Sequence, residues 1–226
     1  EIQARLRDPQ VREQLKAQSD RYWFLFYYRQ WDKITLTGNR SHPEWTGKTF
    51  REIGELAGKD PFDVVYDILA DEGEGMGEVK INGVLFSEGD IMEWITDPLF
   101  SIASDGMAAK EEGPSTRFTF HPLNYGWTPT VVQKWAREMR IFSLETAIQK
   151  MTSQPAARFG LYDRGLLRAG MAADVIVFDP AAFKTRATYL KPNVYAEGMD
   201  YVLVNGKFAL DEGKPTGVLA GRVLGK

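Results

Sequence analysis

The chain has 226 residues, 43% of them hydrophobic and 26% charged, with a formal net charge of -3 and no cysteine. That length suffices to bury a substantial core, as one large domain or two smaller ones. The weak negative charge gives no electrostatic footprint for nucleic acid or an anionic membrane, and the lack of cysteine excludes disulfides, thiolate metal ligands and a cysteine nucleophile supplied by this chain. No apolar stretch approaches the ~20 residues needed to span a bilayer. The first residue is Glu1 and a charged amphipathic segment follows, without a signal-peptide pattern. A cytoplasmic protein is expected, with no membrane and no nucleic-acid partner.

In chain order, Asp8-Pro9 reads as an N-cap and first-turn proline opening a helix to about residue 17. An aromatic block over residues 22–31 suits core or interface packing first, and the mouth of an acyl-group pocket second. A strand is predicted over residues 33–37. Thr49 and Glu52 stand in capping-box spacing and open a helix that Gly58 ends. Asp60-Pro61 starts another, with Phe62, Val65, Tyr66 and Leu69 on one face. The acidic, glycine-rich residues 71–77 read as a loop. Asp71, Glu72 and Glu78 would repel phosphate there, and no Lys-Ser/Thr follows, so a phosphate loop is excluded.

Residues 78–86 are strand-like, Ser87 and Asp90 begin a short helix, and residues 100–104 read as the next strand. This alternation predicts a parallel α/β arrangement. Ser104-Asp105-Gly106 then places a carboxylate at the end of an apolar run. Taken alone, an Asp-Gly pair reads first as a turn. In a (β/α)₈ barrel the same position, the C-terminal end of a strand, is where catalytic residues gather. Residues 107–124 form a connection long enough to suggest function. Helices are predicted from Thr128-Pro129 to about residue 140 and from Ser143 to about residue 150. Beyond Gly165 the reading is all β: a strand over residues 173–178, then a hairpin around Asn205-Gly206.

The segment from Leu161 to Pro180, containing Asp163-Arg164-Gly165 and Ala172-Ala173-Asp174-Val175-Ile176-Val177-Phe178-Asp179-Pro180, resembles the C-terminal signature of the amidohydrolase superfamily. Val202-Leu203-Val204-Asn205-Gly206-Lys207, residues 217–224 and Ser104-Asp105-Gly106 extend the resemblance to the N-acyl-D-amino-acid deacylase (D-aminoacylase) group. It runs through most of the chain and is most specific over residues 143–178. The resemblance implies an α/β fold: residues 1–160 as the C-terminal half of a (β/α)₈ metal-dependent hydrolase barrel, and residues 161–226 as part of a small β-sandwich. It implies a hydrolase that cleaves a C–N bond of N-acyl-D-amino acids with water activated by a divalent metal, zinc being expected. Asp105 is the matching general base and sits beside the metal, as a possible ligand to it.

The family's His-x-His pair and other histidine ligands have no counterpart among this chain's two histidines, His42 and His121. The remaining ligands, and the partner completing the barrel, are therefore expected in an N-terminal half of the same enzyme. Half a barrel leaves open strand edges, so the isolated chain is expected to be unstable. Where the family has His-Pro-Arg, this chain has His121-Pro122-Leu123, and leucine cannot pair with a substrate carboxylate. Arg117 is the candidate replacement, and Asn124 is a further candidate for substrate binding. His121 reads equally as a pocket residue or a loop-structuring one. His42 has no second ligand at metal-site spacing and reads as a surface residue. Leu123 keeps a cyclic-amide hydrolase of the hydantoinase or dihydroorotase kind open as an alternative, and a complete chain without ligands would be a non-catalytic protein on the same scaffold.

Overall fold

The computed structural model describes residues 1–18, 23–107, 112–114, 116 and 119–224. They divide into two compact units, Glu1–Ser87 and Glu88–Lys226.

In the first unit, α1 (Ile2–Leu6) and α2 (Pro9–Ala17) precede the short α3 (Phe24–Tyr27). Asp8 caps α2 by accepting from Gln10 N–H at 2.8 Å. Next come β1 (Ile34–Gly38), α4 (Phe50–Ala57), α5 (Pro61–Glu72) and β2 (Lys80–Gly83). The Thr49/Glu52 capping box forms in both directions, and Asp60 caps α5 through Phe62 N–H. These ends satisfy amide groups that the first helical turn leaves without partners.

The core joins Trp31, Ile34, Leu36, Phe50, Ile53, Phe62, Val64 and Ile68, with Phe26 packed against it. Trp31 meets Phe62 and Phe26 edge-on, at centroid distances of 4.7 and 5.1 Å. The aromatic block is thus core packing at Leu25, Phe26 and Trp31, while Trp23 and Tyr28 are exposed. Tyr22 lies outside the described residues. On α5 the buried positions are Phe62, Val64, Tyr66, Ile68 and Ala70, with Val65 and Leu69 only half-buried. The helix is covered on more than one side, so a single-face reading undercounts it. Its polar side binds α2: Arg12 reaches Asp67 at 2.6 Å and Asp63 at 3.2 Å, and Lys16 reaches Asp63 at 2.9 Å. The expected loop at residues 71–77 is instead the last turn of α5 followed by a 3-10 segment, Gly73–Glu78.

The second unit contains α6 (Glu88–Thr96), α7 (Leu123–Thr130), a π-helical segment (Val131–Glu138), α8 (Leu144–Met151) and α9 (Ser153–Arg158). A four-stranded sheet follows, formed by β3 (Val175–Phe178), β4 (Met199–Val204), β5 (Lys207–Asp211) and β6 (Lys214–Pro215), in that order. Ile95, Ile102, Val131 and Ala147 are the buried centre of its helical part. Asn205 and Gly206 take φ of +49° and +77°, the left-handed pair of a tight hairpin. Asn205 also donates its backbone N–H to Asp174 at 2.7 Å and accepts from Arg164 at 2.7 Å. Burial of the Asp174 carboxyl opposes ionisation, but the Asn205 N–H and the Arg164 guanidinium outweigh it and hold its pKa below the usual carboxylate range.

Three expectations change. Both sheets are antiparallel among the described residues, β1 pairing β2 and β3 through β6 pairing in sequence, so the parallel arrangement is not present within them. Residues 100–104 form no strand: Ile102 N–H bonds Lys150 O at 3.0 Å, and no strand pairs beside the segment. A strand needs a ladder partner as well as apolar residues, and the described residues supply none. Finally, the helix predicted from Thr128-Pro129 starts earlier, at Leu123, and carries Pro129 inside it. The chain then widens into the π segment, where Met139 N–H reaches Lys134 O at 2.8 Å.

Candidate active site

Asp105 is exposed, at the end of residues 101–105, which belong to no helix or strand. Its turn is held locally: Gly106 N–H donates to Ser104 Oγ at 3.2 Å. It is also held from a distance, since Met107 N–H donates to Asn124 Oδ1 at 2.9 Å. Gly106 permits this approach, because a Cβ there would lie 2.9 Å from Asn124 Oδ1 and 3.1 Å from Asn124 Cα. The Asn124 amide in turn donates to His121 O at 3.1 Å. The turn that carries Asp105 is therefore tied to Asn124, and Asn124 to His121. Arg117 lies outside the described residues.

His121 Nδ1 accepts from Leu123 N–H at 3.1 Å, which places the neutral ring's proton on Nε2. Its ring meets Tyr189 edge-on at 5.2 Å, and Tyr125 meets Tyr195 at 5.5 Å. The loop before β4 thus brings tyrosines to the first turn of α7. Sequence reasoning passed over Tyr189 and Tyr195 because no local pattern ties residues more than 60 positions away to His121. The histidine is both loop-structuring and semi-exposed, so its two readings are not exclusive.

Burial lowers the His121 pKa below the usual imidazole range. The unfolded chain then takes up this proton first, so the stability His121 contributes is complete above about pH 6.5 and is lost as pH falls toward the folded-state pKa. An NMR titration should give a His121 midpoint below about 6.5, and Tyr189→Ala should move it back up by opening the ring to water. A midpoint above the ordinary value would contradict this account.

Among the described residues, no three His, Cys, Asp or Glu side chains converge as a metal site. The described residues therefore do not by themselves make a complete metal centre. His42 is engaged otherwise: its Nε2 lies 2.8 Å from Asp71 Oδ2 and its ring stacks on Trp45 at 4.0 Å. In the first unit, an apolar cavity of about 370 Å³ is lined by Leu15, Trp23, Phe26, Phe62, Tyr66 and Ile81, among others. No helix among the described residues is long and apolar enough to cross a membrane.

The sequence profile described as "Amidohydrolase family" matches residues 26–209, which include the Asp105 turn, the His121–Asn124 loop and the hairpin. The chain belongs to the amidohydrolase family. Over 201 residues it is 35% identical to D-aminoacylase of Alcaligenes xylosoxydans xylosoxydans, a match covering 86% of this chain and 38% of that protein. A crystal structure of D-aminoacylase, described as defining a novel subset of amidohydrolases, superposes with a TM-score of 0.67 at 31% identity, covering 86% of this chain and 38% of that one. An N-acyl-D-glutamate deacylase from Bordetella bronchiseptica, solved with zinc and a phosphonate mimic of the tetrahedral intermediate, gives 0.63 at 30% identity over 85% and 38% of the two chains. This amidohydrolase chain thus spans 38% of the length of the D-aminoacylase it matches. Its α/β character agrees with these relatives.

Proposed function

We propose that the protein carrying this chain hydrolyses the amide bond of N-acyl-D-amino acids, with Asp105 as the general base. The observation that carries the reading is the exposed Asp105, on a turn pinned to Asn124, within a chain that matches D-aminoacylases over most of its length. An attacking water must lose a proton as it adds to the amide carbonyl, and the departing amine must gain one. A carboxylate at one fixed point serves both transfers. The neighbouring loop, with Arg117, His121 and Asn124, is assigned to the substrate. Arg117 is the cation that would meet its carboxylate, since Leu123 cannot.

On this reading residues 1–160 are the C-terminal half of a (β/α)₈ barrel and residues 161–226 part of a β-sandwich. Residues 101–104 would then find their ladder partners in the remainder of the barrel. A divalent metal, with zinc preferred because the Bordetella bronchiseptica relative was solved with zinc, would polarise the carbonyl and acidify water when bound. Ligands beyond Asp105 would come from outside this chain, whose two histidines form no His-x-His pair.

Leu123 favours a second reading, hydrolysis of a cyclic amide that presents no free carboxylate at this position. The two separate in one experiment on the intact protein: metal analysis, then assay against N-acetyl-D-amino acids and cyclic ureides. Stoichiometric zinc and turnover of the N-acetyl-D-amino acids are expected. Turnover of cyclic ureides alone would transfer the assignment, and a metal-free protein inert to both would leave a non-catalytic scaffold.

A further inference from the structure

Lys150 is buried, at 3% exposure, and has no carboxylate partner among its hydrogen bonds. Its Nζ donates to two backbone carbonyls, Asp97 O at 2.6 Å and Phe100 O at 2.8 Å. Its own carbonyl accepts from Ile102 N–H at 3.0 Å. The following helix continues the pattern. Gln154 Nε2 donates to Pro98 O at 2.8 Å, and the Arg158 guanidinium donates to Leu99 O. Four successive carbonyls, residues 97 to 100, are thus taken by three side chains spaced four residues apart along α8 and α9.

Burying an ammonium is costly unless its donors are satisfied, and here desolvation lowers the Lys150 pKa below the usual lysine range. A neutral side chain such as leucine or methionine would pack in that place without this cost. The charge is therefore explained by what it holds. Residues 97–100 form a turn closed by Phe100 N–H on Asp97 O at 3.2 Å and by Leu99 N–H on Asp97 Oδ1 at 2.7 Å, and the segment that leaves it toward Asp105 has no strand ladder among the described residues, so its path is set by the gripped turn behind and by Asn124 ahead. Ile102, 7% exposed, adds one apolar anchor between them.

The geometry points to Lys150 as a positioning residue for the reaction, fixing with Gln154 and Arg158 the turn at residues 97–100 from which the segment carrying Asp105 departs. The inference rests on the reading of Asp105 as general base. In the intact enzyme, Lys150→Met should lower kcat by about 10-fold to 100-fold with KM nearly unchanged, as expected when a reacting group is displaced by about an ångström. In an Asp105→Asn background the same change should lower the residual kcat by less than about 2-fold, because the two act as one unit. Equal multiplicative losses in both backgrounds, or an unchanged kcat in folded Lys150→Met, would overturn the positioning role. If instead Asp105→Asn by itself keeps the wild-type rate, the fault lies with the general-base reading. Should Lys150→Met fail to fold, Gln154→Leu and Arg158→Leu, at half-buried and exposed positions, apply the same double-mutant test with smaller, few-fold losses expected; if neither lowers kcat, the clamp is refuted.

Discussion

Asp105→Asn is expected to lower the hydrolysis rate of the intact enzyme by about 10²–10⁴-fold, the usual contribution of a positioned acid–base group. The substitution is close to isosteric. The turn around it relies on Ser104 Oγ, Gly106 N–H and the bond from Met107 N–H to Asn124, none of which uses the Asp105 side chain. The change therefore removes proton-accepting capacity and leaves the scaffold in place. KM should move much less than kcat, and circular dichroism and the unfolding midpoint should match the parent. Hydrolysis at the parent rate would return Asp105 to the plain turn residue that its local sequence suggests.

The largest stability effect is expected at Phe50. Its ring is 2% exposed and lies 6.4 Å from Trp31 and 6.5 Å from Phe26 by centroid. Phe50→Ala should cost about 3–5 kcal/mol, combining the lost transfer free energy with the cavity left among rigid aromatic neighbours. The Thr49/Glu52 cap stands next to Phe50 and does not involve its ring, so the start of α4 is preserved and the loss reports on packing. Denaturant unfolding of the intact protein, followed by tryptophan fluorescence, to which Trp31 in the same core contributes, measures it. A loss below about 1 kcal/mol would show that the surrounding side chains close the gap, contrary to the packing described.

Caps and turns were legible in the chain because they depend on neighbours a few residues apart. Asp8, Thr49 with Glu52, Asp60 and Asn205-Gly206 all behave as their local chemistry dictates. The strand expected at residues 100–104 did not form, because apolar composition makes a segment suited to a sheet but cannot provide its partner. The long helix was misplaced by reading Thr128-Pro129 as its start, when a proline can also be held inside a helix by its surroundings.

Of the candidate site, Asp105, His121 and Asn124 were nameable in advance, since each stands in a recognisable motif. Their connection was not: the bond from Met107 to Asn124 joins residues 17 apart, and the Tyr189 ring reaches His121 from far along the chain. Lys150 left only a faint trace, a lysine three residues after Ala147 on what proves to be the buried side of α8. Sequence by itself determined the family, the capped helix starts at Asp8, Thr49, Asp60 and Ser143, the hairpin and the carboxylate at residue 105, because these follow from short-range chemistry and a shared motif. Only tertiary structure decided that Asn124 meets the Asp105 turn and that Lys150 grips carbonyls 50 and 53 residues earlier, because groups distant in the chain become partners only when the fold brings them within hydrogen-bond reach.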